Sequence, residues 1–198
     1  MTSVKTPSLE AMLGDKLTAF APNTIGIRYE DMKLTEVIKQ LYDCSRLFRV
    51  SKDFKLVRHT YLEISAREIK YRQLIDITSG NCLDDTIDTC KLILSDGKSG
   101  VAANYILLKR GILGFGNFVL GRFGLHDAIV CAMDVYICCV ILKCGGKEEF
   151  LNLLVNVNAN NVRAPFLSKT QIRQLMIVSG PIYNDFLKAV WVENQLIS

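Results

Sequence analysis

AIVCAMDVYICCVIL, residues 128 to 142, is the longest apolar stretch of the chain, fifteen residues interrupted only by Asp134. A run that is apolar on every side reads as a helix buried all round, not as an amphipathic surface helix. A membrane-spanning helix needs about 20 apolar residues, and a carboxylate near the bilayer centre is costly. The stretch therefore predicts the core helix of a bundle and no membrane span. An unpaired buried carboxylate is expensive, so Asp134 is expected at the helix edge or hydrogen-bonded.

Toward the C-terminus, Gly145-Gly146 ends this helix. Glu148 and Glu149 then favour the start of another, where acidic groups complement the helix dipole, and Phe150, Leu151 and Leu154 supply its apolar face. The polar stretch Asn156 to Asn161 is the candidate boundary between a helical core, residues 1–155, and a small C-terminal helical subdomain, residues 156–198, unless both belong to one domain. Ser168 and Gln171 have the spacing of a capping box ahead of Ile172, Leu175 and Met176. Gly180-Pro181 separates two helices, the last carrying Ile182, Phe186, Leu187, Val190 and Trp191.

Toward the N-terminus, a short helix is expected from Val101 to Arg110. Leu83, Ile87, Cys90 and Leu94 form an apolar stripe between a break at Thr78–Asn81 and Asp96-Gly97. Residues 51–77 read two ways. Val57, Tyr61, Ile64, Tyr71 and Ile75 suit a helix, whereas Phe54, Leu56, Thr60, Leu62 and Ile64 alternate like a strand; length favours the helix. A helix from about Asp31 carries Leu34, Val37, Ile38, Leu41 and Tyr42, and a first one opens at Pro7-Ser8 and ends before Pro22. The expected fold is an all-α compact bundle of eight or nine helices.

With 198 residues, 49% hydrophobic and 22% charged, the chain is long enough to bury a core without staples. Its seven cysteines are odd in number and lie mostly inside apolar runs, unlike the paired frameworks of secreted domains. No signal-peptide pattern opens the sequence. Free thiols and an intracellular, cytoplasmic location are expected. Cysteine catalysis needs a thiolate and a base, and the two histidines, His59 and His126, stand in no recognisable nucleophile turn. No Cys-x-x-Cys spacing suggests zinc. The expectation is a non-enzyme without cofactor or metal, a cysteine-dependent enzyme being the least favoured alternative.

Glycine is dense in GILGFGNFVLGRFG, residues 111 to 124. Gly114-Phe115-Gly116 begins a dinucleotide-like pattern, but the third glycine is displaced and no strand precedes it. Close helix packing is the favoured reading of these glycines. GILGFGNFV, together with the later CGGKEEFLNLL, resembles the first and second homology motifs of the apoptosis regulators related to the B-cell lymphoma protein. Gly111, Phe115, Gly116 and Val119 fit the first motif, and Gly145, Gly146 and Phe150 the second. The resemblance implies a buried hairpin and a groove for amphipathic helices. Asn117 stands where that family carries the Arg that pairs with an Asp of the partner helix.

Residues 46 to 72 hold eight basic side chains, Arg46, Arg49, Lys52, Lys55, Arg58, Arg67, Lys70 and Arg72, against Asp53, Glu63 and Glu68, a net of +5 in a chain of net +4. Phe48, Phe54, Tyr61 and Tyr71 are interleaved with them, a mixture that can follow phosphates and stack bases. An ordinary solvated helix face would look the same. The function expected from the sequence is self-assembly as a homo-oligomer or binding of a protein partner, of viral structural type, with single-stranded RNA as a candidate ligand of the basic stretch. The alternative is an apoptosis regulator binding amphipathic helices.

Overall fold

The computed structural model describes residues 6–155, 157–159 and 162–197, residue 197 by its backbone alone. Among the described residues there are nine α-helices and no strand: α1 (Leu9–Ala19), α2 (Leu34–Val50), α3 (Phe54–Tyr71), α4 (Ser79–Leu94), α5 (Ala102–Phe115), α6 (Leu125–Lys143), α7 (Lys147–Leu153), α8 (Lys169–Ser179) and α9 (Ile182–Ile197). The all-α bundle expected from the sequence is what forms.

Helix α6 is the 128–142 run with one turn added at its N-terminus. It is long and apolar enough to cross a membrane by composition, yet 72% of its most apolar window is buried inside the bundle. Helices α2, α3, α4, α5, α7, α8 and α9 all pack directly on it, while α1 lies on α2 and α3. One apolar cluster runs from Leu13 in α1 to Val192 in α9. Phe186 of α9 meets Tyr136 of α6 edge-on, with ring centroids 5.1 Å apart. Beside them the buried Glu193 carboxylate accepts from Lys91 Nζ of α4 at 2.7 Å and from the Tyr136 hydroxyl. These contacts tie α9 to α4 across the central helix. The turn proposed as a domain boundary includes Asn156, Asn160 and Asn161, which lie outside the described residues, as do residues 1–5 of the opening segment.

Local chemistry sets the helix ends. Ser8 Oγ accepts from Ala11 N at 3.2 Å and caps α1. Asp53 accepts from Lys55 N and Leu56 N, both at 3.0 Å, and starts α3. From there Phe54, Val57, Tyr61 and Ser65 are buried at spacings of three and four, while Leu56 faces out. Helical periodicity, not the strand-like alternation, governs this segment. The break at Thr78–Asn81 is itself a capping box: Asn81 N donates to Thr78 Oγ1 at 3.2 Å and Thr78 N to Asn81 Oδ1 at 2.9 Å. Ser168 and Gln171 form the same device at α8.

Helix α5 differs from the sequence reading, which ended it at Arg110. It continues through Gly111 and Gly114 to Phe115. The reason is the α2–α5 crossing. A Cβ on Gly111 would lie 2.5 Å from the Leu34 carbonyl oxygen, so only a residue without a side chain lets the two backbones approach this closely. The favoured packing role of the glycine cluster holds at this position.

Two glycines in one helix make a controlled comparison. Gly→Ala in a helix interior gains up to about 1 kcal/mol in propensity. At Gly111 the new methyl meets fixed backbone, and overpacking costs about 1–3 kcal/mol. At Gly114 the nearest atom is the Thr35 hydroxyl at 3.1 Å, at the end of a side chain. Urea unfolding is expected to show Gly111→Ala destabilised by about 1–2 kcal/mol and Gly114→Ala neutral or stabilised. Equal effects at the two sites would contradict the close crossing.

Candidate functional site: a groove beside the Arg49–Asp134 pair

Asp134 sits in the middle of α6 with only 2% of its surface exposed. Its Oδ2 accepts from Ser45 Oγ and from Arg49 Nε, both on α2 and both at 2.7 Å. Ser45 and Arg49 are four residues apart, one turn, so α2 presents both to the same carboxylate. Burial pushes the Asp134 carboxyl above its ordinary range, and the Ser45 and Arg49 hydrogen bonds only partly oppose this. Arg49 itself is 41% exposed, so the pair joins the core to the surface.

It meets the surface in a cavity of about 330 Å³. Phe48 from α2, Phe54 from α3, Ile137 and Ile141 from α6 and Phe150 from α7 form its apolar floor. Leu151, Leu154 and Ile182 also line it, and Arg49, Asp134, Lys147, Asp185 and Lys188 carry its charges. Phe48 and Phe54 pack edge-on, centroids 5.6 Å apart, and Lys147 Nζ lies 6.0 Å from the Phe54 ring centre. Arg49 is matched by Asp134, and Lys188 by Asp185 at 3.3 Å. Among the described residues Lys147 makes no ion pair and is the cation left over in this lining.

Five of the eight basic residues singled out in the sequence make contacts within the molecule. Lys55 Nζ reaches Glu148 at 3.1 Å and Glu149 at 3.5 Å on α7. Arg58 Nε donates to the Leu142 carbonyl at 3.0 Å, closing the C-terminal end of α6. Arg67 pairs with Glu63 at 3.8 Å. Arg72 pairs with Glu68 at 3.3 Å and donates to the Gly26 carbonyl at 3.2 Å. Arg46, Lys52 and Lys70 are exposed, and among the described residues their side chains make no ion pair. Lys52 precedes α3 and Lys70 ends it, which at 1.5 Å per residue puts them about 25 Å apart. Of the interleaved aromatics, Phe54 and Tyr61 are buried, Phe48 packs on the core, and Tyr71 alone is open to solvent.

Arg46 and Arg49 do meet a third arginine that the sequence reading passed over. Arg122, in the loop between α5 and α6, lines a second cavity of about 280 Å³ together with them. One acid, Asp127, lines that cavity, and its Oδ2 accepts from Gly124 N at 2.9 Å. Distance along the chain hides this convergence; the clue was an acid-free stretch around Arg122.

All seven cysteines are unpaired, six of them buried and Cys144 half-buried. Burial pushes their thiols up, Cys131 and Cys144 to about 11 and Cys44, Cys90 and Cys138 well above the usual value. His126 is exposed, and five residues separate it from Cys131, which places the two about 140° apart around α6. His59 faces Glu63 at 3.7 Å on the surface of α3. Among the described residues no group of three His, Cys, Asp or Glu is placed to hold a metal ion.

The segments resembling the two apoptosis-regulator motifs flank α6, one ending α5 and the other opening α7. A single helix lies between them in place of the implied hairpin. No family model, no curated protein and no solved structure matches the chain.

Removing Arg49 leaves Asp134 buried with Ser45 alone. Breaking a buried pair costs about 3–5 kcal/mol, and the partial exposure of Arg49 reduces this to about 2 kcal/mol for Arg49→Ala. The pH dependence has a definite sign. Because the folded-state carboxyl is raised above its unfolded value, its contribution is favourable in acid and is lost as pH rises through the raised value. Asp134→Asn removes that contribution. The stability difference between wild type and Asp134→Asn is expected to move in favour of wild type as pH falls from neutral toward about 4. A difference constant across that range would contradict the buried, ionisable assignment.

Proposed function

We propose that the chain is a non-enzymatic binding protein that receives an amphipathic helix from a protein partner in the groove beside Arg49 and Asp134. The observation that carries this reading is a cavity between α2, α3, α6 and α7 whose lining is largely apolar, with Phe48, Phe54, Ile137, Ile141 and Phe150 beneath it and the Asp134 carboxylate already met by Ser45 and Arg49. Helix-in-groove recognition uses such a surface, reading apolar anchors at i, i+3 or i+4, and i+7. The surplus cation Lys147 selects a partner helix that carries a carboxylate beside its apolar stripe. The buried thiols, held in their neutral form by desolvation, support a binding role over cysteine catalysis. They also suit a reducing, intracellular setting. RNA binding through the basic stretch has less support, since five of its eight cations serve contacts within the molecule.

The probe is a synthetic 20-residue helix with leucines on one stripe and glutamates flanking it. Titrated into protein labelled at isoleucine methyls, it is expected to shift Ile137, Ile141 and Ile182 and leave Ile25 and Ile87, in the core away from the groove, unchanged. Lys147→Glu is expected to weaken binding about fivefold, the value of one lost rim contact of about 1 kcal/mol. A peptide that binds without moving those methyls, or that fails to bind at millimolar concentration, overturns the reading.

A further inference from the structure

From Gly97 to His126 the chain contains no Asp or Glu, yet it holds Lys98, Lys109, Arg110 and Arg122. The same thirty residues carry five of the most exposed large apolar side chains of the molecule. Val101 and Ile106 are each 61% exposed, Leu113 70%, Phe118 76% and Leu120 fully so. In α5, Tyr105, Leu108, Ile112 and Phe115 are turned inward. The opposite stripe, Ile106, Arg110 and Leu113, faces out and leads into the loop that presents Phe118, Leu120 and Arg122.

The loop has a braced base. Phe115 and Phe123 meet edge-on with centroids 5.0 Å apart, and Tyr42 of α2 packs on both at 5.5 and 5.8 Å. Gly116 fits beneath the Phe123 carbonyl, where a Cβ would lie 2.8 Å from the oxygen. Beyond that base the loop stands clear of the bundle: a Cβ on Gly121 would meet nothing within 4 Å. Phe118 and Leu120 are therefore held outward on a fixed support. At its foot lies the cavity lined by Arg46, Arg49 and Arg122, where Arg49 is met by Asp134 and Asp127 is the one acid, so the cavity beside Leu120 keeps a positive excess.

Exposed Phe and Leu in a segment that carries four cations and no acid match an anionic bilayer surface. The apolar side chains enter the boundary between headgroups and acyl chains, and the cations stay at the headgroup phosphates. A protein groove would bury the cations along with the apolar groups, and a nucleic acid would make no use of aliphatic side chains at the loop tip. We infer that the outer face of α5 and the loop after it form a peripheral docking site for anionic lipid membranes, with Phe118 and Leu120 inserting and Lys109, Arg110 and Arg122 facing the phosphates. Arg49 borders both this surface and the groove, but Phe118, Leu120, Lys109, Arg110 and Arg122 do not line the groove, and neither reading depends on the other.

Co-sedimentation of the full chain with vesicles tests it. Binding is expected to vesicles of phosphatidylcholine with 30% phosphatidylserine, at about fivefold loss per cation removed, and not to pure phosphatidylcholine. Phe118→Ser with Leu120→Ser is expected to lower binding at least tenfold, and circular dichroism should leave the fold unchanged because both side chains already face solvent. Lys109→Glu with Arg110→Glu should do the same, and 0.5 M salt should release the wild-type protein. In Leu120→Trp, tryptophan emission should shift to the blue on adding the anionic vesicles. No vesicle binding overturns the inference, including where the chain instead dimerises or retains poly(U) through this face. So does vesicle binding that survives loss of Phe118 and Leu120.

Discussion

The bundle is organised by one constraint: α6 has no face that tolerates water, and it carries a carboxylate at its centre. A helix apolar all round must be surrounded, and seven of the other helices pack on α6 to do so. Asp134 can be buried among them only if its charge is met, which fixes Ser45 and Arg49, and hence α2, in register with α6. A second polar tie, Glu193 with Lys91 and Tyr136, fixes α4 and α9 on the other side. Hydrophobic burial supplies most of the stability of such a core. Asp134 and Glu193, both buried, set which helices occupy which positions around it.

Both surfaces proposed to bind are consequences of that arrangement. Arg49 must reach the surface to keep part of its hydration, and its exit lies at the groove floored by Phe48, Phe54 and Ile137. The α5–α6 loop must leave α5 and re-enter α6 within a few residues, and the Tyr42–Phe115–Phe123 cluster anchors it on α2. Because α2 carries Arg46 and Arg49 on neighbouring turns, one helix serves the ion pair with the core, the groove rim and the arginine cavity at the foot of the loop.

Much of the fold was legible in the sequence because its signals are local. The run at 128–142, the stripe through Leu83 and Leu94, and the Ser168–Gln171 cap depend on residues close in the chain. The helix over 54–71 was legible only by length, since Leu56 and Leu62 add an alternation that the structure leaves on the outer side of the helix or at the edge of the core. The end of α5 is not legible locally, because Gly111 looks like a helix stop and its use as a crossing point depends on Leu34, 77 positions earlier. The basic stretch was the least transparent feature. Charge counts along a sequence do not reveal that Arg49 meets Asp134, that Arg58 caps α6 or that Lys55 meets Glu148, each partner lying more than 80 positions away. The acid-free segment from Gly97 to His126 was visible in the sequence, but the outward orientation of Phe118 and Leu120 was not.

Native-state hydrogen exchange tests most directly whether α6 is the element on which the remainder depends. Amides of α6 between Ala132 and Leu142 should exchange only through global unfolding, at the full free energy of unfolding measured by denaturant. Amides of α7 and of the loop around Phe118 should exchange through smaller openings. If α6 exchanged at a lower free energy than α1 or α3, the bundle would hold together without its central helix, and the organising role assigned to the buried run and to Asp134 would be contradicted.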